Sequence, residues 1–280
     1  MRVRYSLGGL FASLATVFLF FGAVQAQDNS KVDLQHSTWQ QITSSGKIRM
    51  GVVQYAPYWV RDTASGTWSG AMVEMGKSIA KDLGVELVLQ ETTWSNFILD
   101  LQANKIDFMM AVSATPERAK VVDFVGPMYE LNFTMINRPG FEAKTWDDYN
   151  KSDVRIAVVT GSSGTPVLDR FTPNAQHVKL SKLGETLLAV MSKRADAALT
   201  TTIAGLQARA QNPDLGEMIT PLPLQGLPSY AVLRYEIDPR FRGFLAAWGT
   251  WNRTLGNMEK WIKDSLQLVG VTEVPTDVRF

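Results

Sequence analysis

No cysteine occurs in this chain of 280 residues, and the only histidines stand at positions 36 and 177. Without thiols the protein can form neither a disulfide nor a thiolate metal site, and two separated imidazoles do not make a histidine cluster. These absences argue against the metal centres that cysteine or grouped histidine would build. We therefore predict a protein that uses no metal and no cofactor.

An excess of charge of either sign is also missing, since 28 Lys and Arg residues are set against 27 Asp and Glu residues. Proteins that attract nucleic acid or anionic membranes through their surface field carry a clear positive excess. We therefore expect no nucleic-acid partner. A second long apolar run is missing as well, because no stretch of membrane-spanning length follows the N-terminal one.

The N-terminal end is typical of a secretory signal peptide. Arg2 and Arg4 precede an apolar run over residues 7–24, and the small residue Ala26 suits cleavage before Gln27. A retained membrane anchor is the alternative, although glycine and serine interrupt the run. We predict a signal peptide over residues 1–26, whose removal takes away both of these arginines and turns the net charge from +1 to −1.

Strands and helices alternate in the part of the chain that follows. Apolar periodicity and capping residues predict strands over 47–53, 85–90 and 108–112, and helices over 72–83 and about 93–103. This order implies right-handed crossovers and a parallel sheet, with the loops after the strands collected along one edge. Tyr55, Trp94 and Arg118 all lie at or just after such strand ends. The aromatic rings act there either as packing caps or as ligand platforms, and both interpretations remain open.

The stretch after the third strand has the features of an anion site. Thr115 and Pro116 suit the N-cap and first position of a helix, which leaves unpaired backbone N–H groups at one place. The guanidinium of Arg118 adds a planar set of donors beside them, a combination that suits a carboxylate. In the alternative interpretation, Arg118 merely pairs with Glu117 or Asp123 on a solvated face.

A second α/β series begins after residue 150. Residues 154–159 are predicted as a strand and residues 160–164 as a loop, with Thr165 and Pro166 starting the next helix. The loop is either a second anion site, built from free N–H donors, or a plain tight turn. It is not a phosphate-binding P-loop, because the lysine and the glycine spacing of that motif are absent.

A helix predicted over residues 184–194 is followed by a short strand that ends in consecutive threonines. We expect Leu187, Leu188 and Met191 to form the buried face of this helix. Two helices over 240–255 and 257–268, separated by a glycine, are predicted to end the ordered chain.

Two extended segments cross the middle of the chain and divide it into lobes. Proline and glycine mark both segments, which bracket the second α/β series and so make one lobe discontinuous. Two crossings of this kind define a hinge axis. The predicted organisation is a leader at 27–44, a first lobe at 45–128 and 230–280, a second lobe at 129–229, and hinge segments at 128–132 and 225–230.

The sequence resembles the bacterial extracellular solute-binding proteins of family 3, the periplasmic amino-acid-binding components of ABC importers. The residues that carry the resemblance are 48–52, 70–84, 101–107, 113–118 with 122–124, 194–197 and 261–262. The resemblance implies an α/β, two-lobe periplasmic binding protein fold of type II. Each lobe would have a central sheet flanked by helices, with two hinge crossings between the lobes.

The resemblance also implies a ligand-binding site. In this family pattern Arg118 holds the α-carboxylate of the ligand, helped by Ser113, while Tyr55 and Trp94 match the aromatic positions that sandwich it. The full set of predicted ligand-binding residues is Arg118, Ser113, Ala111, Tyr55, Trp94, Ser162, Ser163, Thr200 and Thr201.

The sequence departs from the family pattern where the ligand's ammonium group would bind. Relatives usually have an acidic residue at the end of the strand that here ends in Thr200 and Thr201. A hydroxyl offers a neutral hydrogen bond, which is about half as strong as a charge-assisted one. The ligand is then either a zwitterionic amino acid or a carboxylate with a weaker or absent cation, and Glu130 near the hinge is a possible replacement for the acid.

The predicted function is that of a periplasmic substrate-binding protein, a monomer without enzymatic activity. It would capture an amino acid or related small carboxylate by closure of two lobes and deliver it to a membrane permease. One alternative is an exported cyclohexadienyl dehydratase acting on prephenate or arogenate, for which Glu185 would be the candidate general acid. Another is a soluble ligand-sensing partner of a membrane receptor.

Overall fold

The computed structural model of the protein describes residues 37–223 and 226–271. The predicted signal peptide, residues 27–36 of the predicted leader, and the last nine residues lie outside the described part, as do residues 224 and 225 of the second predicted hinge segment. Within the described part, no helix is both long and apolar enough to cross a membrane.

The described residues contain eleven strands and ten helices. The strands are β1 Lys47–Val52, β2 Val60–Arg61, β3 Trp68–Ser69, β4 Glu86–Glu91, β5 Phe108–Ser113, β6 Val122–Asn137, β7 Arg155–Val159, β8 Gln176–Leu180, β9 Ala197–Thr201, β10 Met218–Ile219 and β11 Gly226–Arg234. The helices are α1 Thr38–Ser45, α2 Ala71–Leu83, α3 Phe97–Gln102, α4 Pro116–Ala119, α5 Trp146–Tyr149, α6 Gly164–Phe171, α7 Leu183–Met191, α8 Thr202–Gln211, α9 Arg240–Thr254 and α10 Asn257–Leu268.

One mixed sheet forms the centre of the fold, with the strand order β4-β1-β5-β11-β6-β9-β7-β8 and β10 paired to β6. The pairs β1–β4, β1–β5, β7–β8 and β7–β9 are parallel, as the alternation of strands and helices predicts. β11 and β6 are the antiparallel strands at the middle of the sheet. The carboxyl ends of the parallel strands therefore face the region where the candidate site lies.

The long strand β6 connects the two groups of strands that make up the sheet. Its first part pairs with β11 as far as Asn132, and its second part pairs with β9 from Phe133 onward. We call β4, β1, β5, β11 and the first part of β6 the first sheet half, and the rest of the sheet the second sheet half. The change of partner lies next to the predicted hinge segment at 128–132, and the lobe boundaries themselves stay a prediction.

Helix α2 shows how local sequence sets an element of this fold. Met72, Met75 and Ile79 recur at helical spacing and are fully buried against the first sheet half. Gly84 ends the helix in the left-handed conformation at φ 67°, where its N–H reaches the carbonyl of Ala80. The helix begins and ends within one residue of the prediction because periodicity and the glycine cap agree.

The predicted buried face of helix α7 is wrong in part. Leu187 is buried, but the side chains of Leu188 and Met191 are exposed, at 56% and 44%. Leu183, Leu187 and Val190 cover the sheet instead, with the same helical spacing. Because nearly every residue of this helix is apolar, periodicity alone does not say which face meets the sheet.

Candidate functional site

A small cavity lies between the two sheet halves, at the carboxyl ends of the parallel strands. Its volume is about 30 Å³, which is room for about two water molecules. It is lined by Tyr55, Tyr58, Trp59, Trp94, Ala111, Leu131, Phe133, Val159, Ser162, Ser163, Gly164, Leu199, Thr200 and Thr201. Among the described residues, none of those that line the cavity carries a charge.

Seven of the nine predicted ligand-binding residues belong to this lining. They are Tyr55, Trp94, Ala111, Ser162, Ser163, Thr200 and Thr201. The remaining two, Ser113 and Arg118, lie next to the cavity, because Ser113 Oγ donates to Ser163 Oγ at 3.1 Å and Arg118 donates to the Ser113 carbonyl. The fold thus brings together residues from both α/β series, and their role in binding stays a prediction.

The loop after β1 contributes a group of packed aromatic rings. Tyr55 and Trp59 bridge the loop through reciprocal backbone hydrogen bonds of 3.1 Å. The ring of Tyr55 stacks on Tyr58 with centroids 6.1 Å apart, and Tyr58 stacks in turn on Tyr129 at 6.1 Å. Tyr58 and Trp59 were not among the predicted site residues, although they stand in the same aromatic stretch of sequence as Tyr55.

Trp94 packs against two rings of this group in T-shaped contacts. Its centroid is 5.9 Å from that of Tyr55 and 6.0 Å from that of Trp59. The indole N–H groups of Trp59 and Trp94 are buried and have no hydrogen-bond partner within the described residues. A buried donor without an acceptor costs free energy, so both indole N–H groups are unsatisfied polar groups next to the cavity.

Tyr55 links the two sheet halves directly. Its hydroxyl lies 3.0 Å from Thr200 Oγ1, and the backbone N–H of Thr201 donates to it at 3.5 Å. Burial raises the pKa of Tyr55, against the opposing effect of the hydrogen bonds from Thr200 and Thr201. The phenol therefore stays protonated and neutral at ordinary pH.

Arg118 also joins the two halves, through two backbone carbonyls. Nη1 donates to Ser113 O at 3.0 Å, and Nη2 donates to Gly161 O at 2.8 Å. Its guanidinium lies 5.3 Å from the centroid of Phe97. Loss of solvation lowers the pKa of Arg118, although a guanidinium remains charged at any ordinary pH.

The alternative interpretation of Arg118 as a surface ion pair is not what the structure shows. Glu117 pairs instead with Lys120 at 2.8 Å, and Asp123 pairs with Arg242 at 3.4 Å. Among the described residues, no carboxylate lies within ion-pair distance of Arg118. The side chain is thus a partly buried cation at the boundary between the halves, with no counter-ion from the described chain.

Gly161 lies where the loop after β7 packs closely on the loop before α3. Its φ is 77°, and a Cβ placed on it would lie 2.9 Å from the carbonyl oxygen of Trp94. Glycine suits both the left-handed backbone and this close contact. The carbonyl of the same glycine accepts the hydrogen bond from Arg118 Nη2.

The loop over residues 160–164 offers fewer free donors than predicted. The N–H of Thr160 bonds to Leu180 O at 2.8 Å and that of Ser162 bonds to Val159 O at 3.2 Å. The N–H of Gly164 bonds to Ser162 Oγ at 3.3 Å, and helix α6 already begins at that glycine. Three of the loop's five N–H groups are thus used within the protein, two of them inside the turn, which favours the plain tight turn over an anion site.

Ala111 has a backbone conformation that is unusual for its residue type. Its φ is 59°, in the left-handed region, although it lies in the middle of β5. The pairing of β5 with β11 shifts register beside it. Strain of this kind costs of the order of 1 kcal/mol and is often found where backbone lines a functional site.

The acidic residues raised from the sequence lie elsewhere. Glu130 is exposed on β6 and does not line the cavity. Glu185 is an exposed residue in the first turn of α7, and its side chain accepts a hydrogen bond from the backbone N–H of Ser181 at 2.9 Å. Within residues 37–223 and 226–271, no group of three or more acidic or histidine side chains is placed to hold a metal ion.

A wider pocket lies next to the cavity. It has a volume of about 320 Å³, and Tyr55, Trp94 and Val159 line both spaces. Its lining includes Lys182 and also Glu91, which pairs with Arg61 at 2.8 Å. The two pockets thus adjoin in the cleft between the two sheet halves.

Comparison with known proteins gives a family match over most of the described chain. The model of the bacterial extracellular solute-binding proteins, family 3, matches residues 48–220. That span contains all of the residues that line the cavity as well as Arg118 and Ser113.

Two curated relatives represent the binding proteins and the enzymes of this kind. The ABC transporter glutamine-binding protein GlnH of Bacillus subtilis is 29% identical over 210 residues, which is 71% of this chain and 76% of that protein. The cyclohexadienyl dehydratase of Pseudomonas aeruginosa is 29% identical over 118 residues, which is 41% of this chain and 44% of that protein.

Among solved structures, the chain is similar to the ancestral amino acid-binding protein AncCDT-1, described as a precursor of cyclohexadienyl dehydratase. The TM-score is 0.72 with 28% sequence identity, and the match covers 81% of this chain and all of that chain.

Proposed function

Because the chain belongs to the bacterial extracellular solute-binding proteins, family 3, we propose that it is the substrate-binding component of an ABC importer. Both the family and the fold class predicted from the sequence, α/β with the type II periplasmic binding protein fold, are confirmed. The proposed ligand is an amino acid or a related small carboxylate, held between the two lobes.

One observation carries this proposal, namely the position of Arg118. It is a partly buried cation without a carboxylate partner in the described chain, and it stands where the two sheet halves meet. A guanidinium presents a planar pair of donors that matches a carboxylate. A ligand carboxylate would replace one or both carbonyl contacts and supply the missing negative charge.

Lobe closure is the proposed mechanism. The cavity of about 30 Å³ is too small for an amino acid, so the halves must separate before a ligand enters. Tyr55–Thr200, Ser113–Ser163 and Arg118–Gly161 are the direct contacts that such a motion would break. Closure around the ligand excludes water and strengthens its carboxylate contacts, because the local dielectric falls. The closed form is what a permease would recognise.

The proposal includes export and a monomeric state. The predicted signal peptide over residues 1–26 would place the mature protein in the periplasm, consistent with an extracellular solute-binding family. A monomer suffices, because every residue proposed for the site belongs to one chain. A sensing role would use the same cleft and would differ only in the membrane partner.

We propose binding rather than dehydration, although a dehydratase is among the relatives. A dehydratase needs a general acid within hydrogen-bond reach of the leaving group. The described residues that line the cavity include no Asp, Glu or His, and Glu185 lies outside it.

The test of the proposal is ligand binding by the purified protein and by an Arg118→Ala variant. A thermal-shift screen of amino acids and small carboxylates identifies a ligand, because a compound that binds only the native state raises the melting temperature. Calorimetry then measures its affinity. We expect Arg118→Ala to abolish detectable binding without lowering the melting temperature of the ligand-free protein by more than a few degrees.

Arg253→Ala is the matched control. Arg253 also donates a guanidinium N–H to a backbone carbonyl, that of Pro127 at 2.7 Å, but it does not line the cavity. This variant should bind the ligand as the wild type does. Unchanged affinity in Arg118→Ala would overturn the assignment of Arg118 as the carboxylate site.

A further inference from the structure

We infer that the ligand of this site carries a carboxylate but no ammonium group, and that its other polar groups are hydrogen-bond acceptors, as in an α-keto acid. This inference rests on the proposed function, because it assigns the chemical class of the ligand to the same cavity. It follows from the balance of donors, acceptors and charge around the cavity.

The unpaired donors and the free cation of the site favour a ligand that accepts hydrogen bonds. Trp59 and Trp94 line the cavity, and their buried indole N–H groups have no acceptor within the described residues. Arg118 lies beside the cavity, two hydrogen bonds from its lining through Ser113 and Ser163, and has no carboxylate partner in the described chain. An ammonium group brings three more donors and accepts none, whereas a carbonyl or carboxylate oxygen accepts.

The hydroxyl oxygens of the cavity are already engaged with the protein. Thr200 Oγ1 is 3.0 Å from the Tyr55 hydroxyl, and Thr201 Oγ1 accepts from the N–H of Ala204 at 3.3 Å as the cap of α8. Ser162 Oγ donates to Val159 O at 2.7 Å. These oxygens keep free lone pairs, but all of them are neutral, so a buried ammonium would find no charged acceptor among them.

Among the described residues around the cavity, none supplies a negative charge to compensate an ammonium group. The carboxylate in the lining of the adjoining pocket belongs to Glu91, which is paired with Arg61. The phenols cannot supply one either, because burial raises the pKa of Tyr55 and of Tyr58. Burying an unpaired ammonium beside the positive Arg118 would be strongly unfavourable.

The aromatic rings of the site are largely in contact with one another. A cation is attracted to the open face of a ring, but the ring of Tyr58 stacks on both Tyr55 and Tyr129, with each centroid 6.1 Å away. Trp94 packs against Tyr55 and Trp59 in T-shaped contacts.

The experiment uses matched ligand pairs with the purified wild-type protein. Pyruvate, α-ketoisocaproate and phenylpyruvate are compared by calorimetry with alanine, leucine and phenylalanine, which have the same carbon skeletons and carboxylate. We expect the keto acid of at least one pair to bind, and to bind at least about tenfold more tightly than its amino acid.

A change in the protein, instead of in the ligand, tests the same inference. Thr200→Asp introduces a carboxylate in the cavity and should shift the preference within the binding pair toward the amino acid by at least about tenfold. Thr200→Asn changes the same side chain without adding charge, so a shift toward the amino acid that both variants share is not due to the carboxylate. Circular dichroism shows whether each variant is folded. If Thr200→Asp does not fold, the comparison of ligand pairs with the wild-type protein decides the inference.

The outcomes separate the inference from the proposed function. An amino acid that binds as tightly as its keto acid, or more tightly, overturns the inference and leaves the solute-binding function intact. If neither member of any pair binds, and the wider screen for the proposed function also finds no ligand, then the proposed function fails and the inference fails with it.

Discussion

The two sheet halves are built alike at the amino ends of their strands. In the first half, Asp107 accepts hydrogen bonds from the backbone N–H of Arg49 at 2.7 Å and from its Nη2 at 2.6 Å. In the second half, Asp196 accepts from the backbone N–H of Arg155 at 3.0 Å and from its Nη2 at 3.0 Å. Each aspartate returns its own N–H to the carbonyl of the same arginine at 2.8 Å.

The turns that lead to these aspartates also correspond. Asn104 and Lys193 each stand three residues before the aspartate, and each has a left-handed backbone, with φ of 56° and 57°. Non-glycine residues seldom adopt this conformation, so the same turn in both halves indicates one structural plan used twice. We call each arginine and aspartate pair a clamp, since it ties the first strand of a half to the strand beside it.

At the carboxyl ends of the same strands the two halves differ. After β5 the first half presents Ser113 and the cation of Arg118, whereas β9 ends in the neutral hydroxyls of Thr200 and Thr201. From this comparison we predict that the clamps stabilise the scaffold, whereas the proposed binding residues lie at the opposite edge. Variants at the two ends should therefore change different properties.

The largest effect on stability is expected from removal of a clamp. Asp196 also accepts from Arg138 Nε at 2.9 Å, whereas the additional partner of Asp107 is the neutral Gln41 at 3.2 Å. We expect Asp196→Ala to lower the free energy of unfolding by about 3 kcal/mol and Asp107→Ala by about 2 kcal/mol. Urea denaturation measures both.

Asp264→Ala is the control for the clamp variants, because Asp264 forms an exposed pair with Lys260 on one helix. Its effect should be below about 0.5 kcal/mol. A larger loss in Asp107→Ala than in Asp196→Ala would show that the second arginine adds nothing to the clamp of the second half.

The stability contributed by the second clamp, Arg155 and Asp196, should also depend on pH. We expect this change in stability to be smaller than the loss caused by Asp196→Ala. Burial opposes ionisation of Asp196, yet the hydrogen bonds from Arg155 and Arg138 outweigh it and lower its pKa. Its contribution is therefore present above the unfolded pKa, near pH 4, and is lost as the pH falls through the lower folded value.

Urea denaturation between neutral pH and about pH 3 tests this dependence. We expect the wild type to lose more stability over this range than Asp196→Asn, in which the titrating group is absent. Parallel curves for the two proteins would contradict the lowered pKa.

The smallest effect is expected from a contact between the halves. Tyr55→Phe removes the hydroxyl that meets Thr200, and it should lower the free energy of unfolding by about 1 kcal/mol. In Tyr149→Phe the lost hydroxyl donates to Asn137 Oδ1 at 2.8 Å within the second half. Small-angle scattering should show an expansion of the ligand-free protein in Tyr55→Phe and none in Tyr149→Phe, if the contact holds the halves together.

Much of the secondary structure could be predicted from the sequence. Most helices and strands were placed within a few residues of their observed bounds, because apolar periodicity and caps such as Thr115 and Gly84 act locally. Strand β6 begins at Val122, six residues before the predicted extended segment, since Gly126 and Pro127 resemble a break. The short strand β10 was missed, because pairing with β6 rather than its own sequence defines it.

The site could be predicted less completely. Arg118 stood out because a guanidinium beside a capped helix start suits an anion, but nothing local indicates that it reaches Gly161. Tyr58 and Trp59 were passed over although they flank the same loop as Tyr55. Whether a ring in a loop packs or lines a cavity depends on the segments that approach it, and these are distant in sequence.

By itself the sequence determined the family, through the resemblance of its motifs, and with it the fold class. Local periodicity and capping determined most helices and strands, and residue type determined the chemical groups available to the site. Only the tertiary structure decided how those groups are used. Tyr55 and Thr200 are 145 residues apart along the chain, and Arg118 and Gly161 are 43 residues apart. Such contacts exist only once β6 and β11 bring the two sheet halves together, because packing between distant segments leaves no periodic signal in either one.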